Sequence, residues 1–576
     1  MNMKNNLIIF LIAGITIGLL NSCQNELNTK PLDKFSGDLV WADAVTARTF
    51  VNDTYNVLDY LIQDDEWSDN MVLNPSQGGA SNLVQENITN ETNFGWNIYS
   101  NIRKTNMIIE KIGESDFQQS AKDVMLGEAY FLRAVANFSS ARKFGRIMIV
   151  EKVLTPEDDL LLPRTTTIKD TYDFIINDLT TASELLPIKV DKGRVGKGAA
   201  YALLAEVSLH GAAYLTNSSE KASYYQIGID ASEDLFELNE YALDPNYKEL
   251  FNTYEGGLNS TEMILAKYRL STNTTMSGTW MQNLVPNMGG DKAKEGVLEK
   301  WPLDKPLEGW LEKTPSQDLV DAYLVNDVDG ESKKWNETSY FDNFVPNVGY
   351  VQDAMYKQRD KRFYASIVND SSMMYTSLMT TRIGGNVNYL SNVQQDRHMT
   401  KSGYLFRKNI YENEWLYYNV PTNYHYSILR LGRSFLNYAE LLLRIDANTN
   451  KTKAIEYINQ TRTIHGGLSE LSTSLSVDEI WKYYKIERRV ELLQENDRYW
   501  TLLRWGKEEN LSVIPELNSV PTAISISENG QDFVITDVPV VAGANSRRFT
   551  AKRYLLPIPK SETVENPNID QNPGWE

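Results

Sequence analysis

The chain has 576 residues, 42% hydrophobic and 23% charged, with a net charge of −19. That balance describes a globular protein with length for a large core and more than one domain, and it excludes a disordered chain. It also argues against nucleic acid or an anionic membrane face as the main partner, and the single cysteine, Cys23, excludes an intrachain disulfide and a cysteine-built metal site.

Residues 1–22 read as a targeting segment, with Lys4 as its positive start and an apolar run of 14 residues over Leu7–Leu20. A bilayer span takes about 20 residues, so the run is too short to cross by itself. It ends Leu20-Asn21-Ser22-Cys23, which resembles the lipobox of bacterial lipoproteins, although Asn21 is unusual at its position. The resemblance implies a lipid on Cys23. A plain signal peptide followed by a chance cysteine is the alternative. Residues 23–38 read as a polar tether.

An amphipathic helix is expected over Leu39–Ile62, with Val40, Ala44, Ala47, Val51, Tyr55, Leu58 and Ile62 close to one face. Residues 63–94 are rich in Asn, Gly, Ser and Asp and read as a long loop, a feature that is often functional. Helices are expected at 95–112, 120–144, 168–186, 197–217 and 222–239. The stretch from Lys122 to Gly145 has the longest helical period. Val124, Met125, Ala129, Phe131, Leu132, Val135, Ala136 and Phe138 form a wide stripe, with Arg133, Asn137 and Ser140 opposite and Gly145 as the stop. Its alanines would let a neighbouring helix approach closely. Long helices joined by short turns predict a helical-repeat stack of tetratricopeptide type.

Between about 240 and 425 the helical period fades, Gly, Asn, Ser and Pro rise, and Trp280, Trp301, Trp310, Trp335 and Trp415 appear. Asp327-Val-Asp329-Gly330 looks like part of a calcium loop, but Asn336 stands at the twelfth position, so it reads as a turn. Helices return at 427–446, 451–464 and 476–496, and the end is Pro-rich and extended.

Five stretches now carry a family resemblance. They are Gly127-Glu-Ala-Tyr-Phe-Leu-Arg-Ala134; Gly193-Arg-Val-Gly-Lys-Gly-Ala-Ala200; Arg359-Asp-Lys-Arg-Phe363; Ile486-Glu-Arg-Arg-Val-Glu-Leu492 continuing to Arg504-Trp-Gly506; and Tyr554 to Trp575. In this order, behind a lipobox, they resemble the SusD/RagB-like outer-membrane lipoproteins. One departure follows Phe144-Gly145, where many members read toward Val-Pro and this chain reads Arg146-Ile-Met-Ile149. The resemblance implies a mostly α fold, with about four tetratricopeptide-like helix pairs and a loop-rich ligand-binding half. Residues 39–240 would form the N-terminal helical region, 241–425 the loop-rich insert, and 426–576 the C-terminal return to the stack. It also implies a cell-surface, lipid-anchored protein that captures glycan without cleaving it and partners a SusC-like TonB-dependent transporter. No cofactor is implied.

Sugar binding needs flat rings for C–H faces and planar polar groups for hydroxyls. Trp67, Trp280, Trp301, Trp310 and Trp335 stand in loop-like contexts, with Asp69, Asn70, Asn283 and Asn336 as polar candidates. The alternative for each ring, and the more frequent role for any one of them, is an anchor that packs a long loop onto the helices. Trp96, Trp500 and Trp505 read as structural. Glu487, Glu491 and Glu495 share a helix face, but a glycosidase pair must face each other across a sugar, so an ion-pair network with nearby arginines is the expectation. The Arg359-Asp-Lys-Arg362 run reads as a solvated or salt-bridged turn. A glycan-cleaving enzyme and a tetratricopeptide-like protein adaptor are the competing readings.

Overall fold

Asp43 opens the helical half. Its carboxylate accepts from the amides of Val45 and Thr46, satisfying orphan donors of helix α1 (Ala44–Thr54). In this computed structural model, which describes residues 40–74, 81–287, 307–388, 399–539 and 545–576, the chain then tightens into a 3-10 helix over Tyr55–Leu61. The single helix expected to Ile62 therefore changes type. Three residues per turn put Leu58 and Leu61 on one face, and both are buried. Residues 1–38, Cys23 among them, and Trp301 lie outside the described residues.

Helices α2 (Tyr99–Glu114), α3 (Gln119–Phe144), α4 (Ile168–Leu185), α5 (Lys197–Ala213) and α6 (Ser218–Glu237) follow, each packed on the next. Thr167 and Asp170 make a reciprocal capping box at α4. Helix α3 stops on Gly145, whose φ of 73° suits glycine. The face of α3 opposite its apolar stripe is buried too. There Arg133 makes a two-point pair with Asp178 of α4, at 2.8 and 2.7 Å. Gly127 lets the neighbouring turn close in, since an added Cβ would lie 2.7 Å from Leu186 Cγ.

The helical stretch α7 (Leu431–Ile464) is two arms. Asp446 leaves helical geometry at φ −162° and ψ 92°, and its carboxylate accepts from the amides of Asn448 and Thr449 to start the second arm. The rings of Phe435 and Tyr457 meet at 5.2 Å, whereas a straight helix would hold them about 33 Å apart. The chain thus folds back at Asp446, as the separate expectations at 427–446 and 451–464 require. Phe236 of α6 touches both rings, at 5.2 and 5.3 Å. Helix α8 (Val477–Glu491) opens on a Ser476–Glu479 capping box, and α9 (Arg498–Glu508) follows. The stack is mostly α and built of tetratricopeptide-like pairs: α2 with α3, α4 with α5, α6 with the first arm of α7, and the second arm with α8.

Two boundaries in the C-terminal region differ from the sequence reading. Helix α8 stops at Glu491 rather than 496, because Gln494 and Asn496 take left-handed φ values of 58° and 55°. The turn they make starts α9, which periodicity did not announce. Residues 427–430, expected to be helical, instead end a strand.

The strands form small antiparallel pairs, among them those of β1 (Met71–Leu73), β2 (Met263–Arg269), β3 (Lys313–Pro315), β4 (Tyr424–Arg430), β5 (Thr522–Ile526) and β6 (Phe533–Asp537), joined β1–β3, β2–β4 and β5–β6. In β4 every residue but Ser427 is buried, so the run has no alternation to betray it. A second hydrophobic core, with Met281, Tyr323, Phe363, Tyr404, Tyr411 and Tyr424, supports the loop-rich half. Asp327 to Gly330 is a hairpin turn, its two acids pinned by Lys333.

A buried ionic seam joins the two halves. Arg430 reaches Glu262, Glu491 and Glu495 at 2.8, 2.6 and 2.7 Å. Arg362 pairs with Asp360, Glu487 and Glu491, and Lys408 lies 2.7 Å from Glu495. The Arg359-Asp-Lys-Arg362 turn is thus the salt-bridged alternative, and the three glutamates of α8 and its following turn are all engaged by cations.

Candidate functional site

Strands β2 and β4 run on past their pairing, and their extensions carry a cluster of aromatic rings. The Met276 and Ser277 amides donate to the Val420 and Tyr418 carbonyls at 3.0 and 3.1 Å. The Glu308 amide donates to Leu416, and the Trp310 amide donates to Gln282 at 2.6 Å. With its amide oxygen and nitrogen assigned to satisfy both neighbours, the Gln282 carboxamide ties the segments again, accepting from Trp310 Nε1 at 2.8 Å and donating to the Ser277 carbonyl at 3.0 Å. Three stretches, 276–285, 307–312 and 415–421, are therefore laced into one surface.

That surface bears Trp280, Trp310, Trp415, Tyr417 and Tyr418. Trp310 and Trp415 are each 38% exposed and Tyr418 is 44% exposed. The rings of Trp415 and Tyr417 lie 5.5 Å apart at 31°, and those of Tyr417 and Tyr418 5.4 Å apart at 47°. Trp280 is half-buried, edge-on to Tyr426 at 5.1 Å, and Arg269 caps the other ring of that pair. Asn283, half-buried, joins the same backbone lacing through its carbonyl, which accepts from Glu312 at 2.8 Å. Glu414 borders the rings, and burial together with Glu255 pushes its carboxyl up. Fixed flat rings with amides and carboxylates at their edge can stack on sugar C–H faces and bond hydroxyls.

The structure brings Trp280, Asn283 and Trp310 together and adds Trp415, Tyr417 and Tyr418. The sequence carried a signal for these last three: Trp415-Leu-Tyr-Tyr418 between polar residues, in the segment where helical period fades. The other described candidates lie elsewhere. Asp69 is 5% exposed and takes both Arg489 and Arg498, which outweigh the effect of burial and hold its carboxyl well below the carboxylate range. Asn70 is fully buried, accepting from Arg489 Nε at 2.8 Å and donating to Asp65 at 2.8 Å. Trp67 packs edge-on against Tyr499 and Trp500 at 5.5 and 6.2 Å, fixing the 63–74 segment to α9. Trp335 is 6% exposed, donates to Asp321 at 2.6 Å and meets Phe341 at 4.9 Å. For Asp69, Asn70 and Trp335 that burial leaves packing, not a ligand face, as the evident work. Trp96, Trp500 and Trp505 are buried as core residues.

Among the described residues, Glu262, His465 and Glu491 place possible metal-ligand atoms within 4.8 Å of one another. The protein supplies its own cations there. Burial alone would depress His465, but Glu491 at 2.8 Å and Glu262 at 3.2 Å override it and raise the imidazole to about 10. Arg430 sits on the same two carboxylates, so the donor set is already neutralised.

A description reading "SusD family" matches residues 261–575, more than half of the chain, and one reading "Starch-binding associating with outer membrane" matches residues 31–209. The chain belongs to the SusD family. It is 25% identical to SusD-like protein P38 of Formosa agariphila, over 99% of both chains. A crystal structure of a SusD-like protein from Bacteroides fragilis shares 25% identity, covering 95% of this chain and all of that one, with a TM-score of 0.74. A laminarin-binding SusD-like protein shares the fold at 18% identity and a TM-score of 0.61, covering 92% of this chain and 99% of its own.

Proposed function

We propose that this protein captures oligo- or polysaccharide at the cell surface. Anchored to the outer membrane through lipid on Cys23, it would deliver that glycan to a SusC-like TonB-dependent transporter. The observation that carries the reading is the laced aromatic surface of Trp280, Trp310, Trp415, Tyr417 and Tyr418, with three of its rings open to solvent. The family description that names starch binding and the outer membrane supports it, as does the laminarin-binding relative. Residues 241–425 are the ligand-binding half in this reading, and the helical regions 39–240 and 426–576 face the transporter. Binding without cleavage is favoured in this reading because Glu487, Glu491 and Glu495, the acids whose spacing suggested an acid/base pair, are each engaged by an arginine or lysine.

Affinity electrophoresis of the protein against a panel of neutral polysaccharides tests the reading, with product analysis after prolonged incubation. Retardation by at least one glycan with no new reducing ends is the expected result. Retardation by none would overturn glycan capture, and chain cleavage would turn the reading to an enzyme. Co-purification of the lipidated protein with a large outer-membrane β-barrel tests the partner.

A further inference from the structure

A second concavity, of about 600 Å³, opens where the Arg359-Asp-Lys-Arg362 turn meets Gly467, and none of its lining residues belongs to the aromatic surface. Lys357, Arg359 and Lys361 line it against one carboxylate, Asp353. In a chain of net charge −19 this is a local reversal of sign. Lys357 and Lys361 are exposed, and among the described residues neither makes an ion pair. Arg359 is 2% exposed. Its Nε and Nη1 donate to the carbonyls of Met355, Val320 and Tyr323, while Nη2 has no hydrogen-bond partner.

One ring stands among these cations. Tyr364 is 40% exposed, yet its hydroxyl donates to the Tyr356 carbonyl at 2.6 Å and accepts from the Arg359 amide at 3.2 Å. The ring is thus fixed to the turn that carries Lys357. Gln358 and Ser371 on the walls hold left-handed φ values of 53° and 63°, the kind of local strain that tends to collect at binding sites. The volume is that of a small-ligand site.

We propose that this cleft is a second saccharide site, selective for a sugar unit that carries an anionic group, either a uronic carboxylate or a sulfate ester. Tyr364 offers a flat face to the sugar ring. Lys357 and Lys361 supply the countercharge, and Gln352 and Ser372 supply hydroxyl partners. The inference rests on the reading of this protein as a glycan binder, and it deepens that reading by naming a charged class of ligand that the aromatic surface does not select.

Isothermal titration of the full-length protein with an oligogalacturonate, a sulfated oligogalactan and a neutral oligoglucan tests it. At least one of the two anionic probes is expected to bind, and which one does so distinguishes carboxylate from sulfate. Lys357→Ala with Lys361→Ala should lower that affinity at least tenfold and flatten its salt dependence, with the melting temperature and neutral-glycan binding unchanged. Tyr364→Phe, which keeps the flat face and loses the anchoring hydroxyl, should lower the affinity less than Tyr364→Ala. Neutral binding without either anionic probe would overturn the cleft and leave the aromatic surface standing. Anionic binding indifferent to the lysine pair would overturn it as well.

Discussion

Arg498 grips both carboxylate oxygens of Asp69, Nε at 2.8 Å and Nη2 at 2.9 Å, across 429 positions of the chain. Arg489 adds a third contact at 2.8 Å. The acid therefore clamps the 63–74 segment to the C-terminal helices. Asp69→Asn would leave two buried guanidinium groups short of a partner. It is expected to lower stability by about 3–5 kcal/mol, the usual cost of breaking a buried pair. Thermal melting reads the loss, and glycan titration of the folded fraction should be unaltered. A weakened affinity at full stability would instead move Asp69 to the ligand.

The tryptophans should divide into two groups. Trp415→Ala and Trp310→Ala are expected to weaken neutral-glycan binding roughly tenfold each, on the order of 1.4 kcal/mol, with little change in melting temperature. Trp335→Ala should do the reverse. Its ring is wedged against Phe341 and Phe533, so truncation should cost about 3–5 kcal/mol of stability and leave the affinity of folded protein intact.

Stability should fall on both sides of mildly acidic pH. Burial alone would raise Glu440 and Glu495, but Arg504 and Arg430 respectively outweigh it and hold each at about 2, against an ordinary 4.5. Their contribution is complete above pH 4.5 and is lost as pH falls through about 2. His465 behaves oppositely. Raised from 6.5 to about 10, it contributes fully below pH 6.5 and loses that contribution as pH rises through about 10. Asp65, pushed up to about 7 by burial, leans the same way as His465. Melting temperatures across pH 2–11 check this, and His465→Gln should flatten the alkaline limb. An unchanged alkaline limb in that variant would show that His465 is not charged in the fold.

Cys23→Ala is expected to give a protein with wild-type melting temperature that no longer sediments with outer membranes. Fractionation in cells lacking the proposed barrel partner is the measurement. Retention in the membrane there would refute the lipid anchor.

The helical stack was legible because its signals are local. Apolar periods and the stop at Gly145 each act within a few positions. The seam was half legible. Three glutamates on one face announced ion pairs, but nothing nearby named Arg362, Arg430 or Lys408 as their partners. The same limit hid the partners of Asp69 and Asn70, whose arginines lie more than 400 positions away. At the candidate site the exposed rings were visible as residue types. Their assembly was not, because it depends on backbone hydrogen bonds between 276–285, 307–312 and 415–421, which have no sequence signature.

The β2–β4 pair has a consequence for how such proteins diversify. The chain leaves the stack along Met263–Arg269 and returns along Tyr424–Arg430, and these two strands lie side by side. Everything between them enters and exits through one narrow neck. The intervening segment therefore behaves as a cassette, whose loops can lengthen, shorten or exchange rings while the helix pairs on either side keep their register. One constraint on such exchange is the β1–β3 pairing, and another is electrical. Any incoming segment must bring a cation to the place of Arg362, or it strands Glu487 in the interior, whereas Arg430 still holds Glu491 and Glu495.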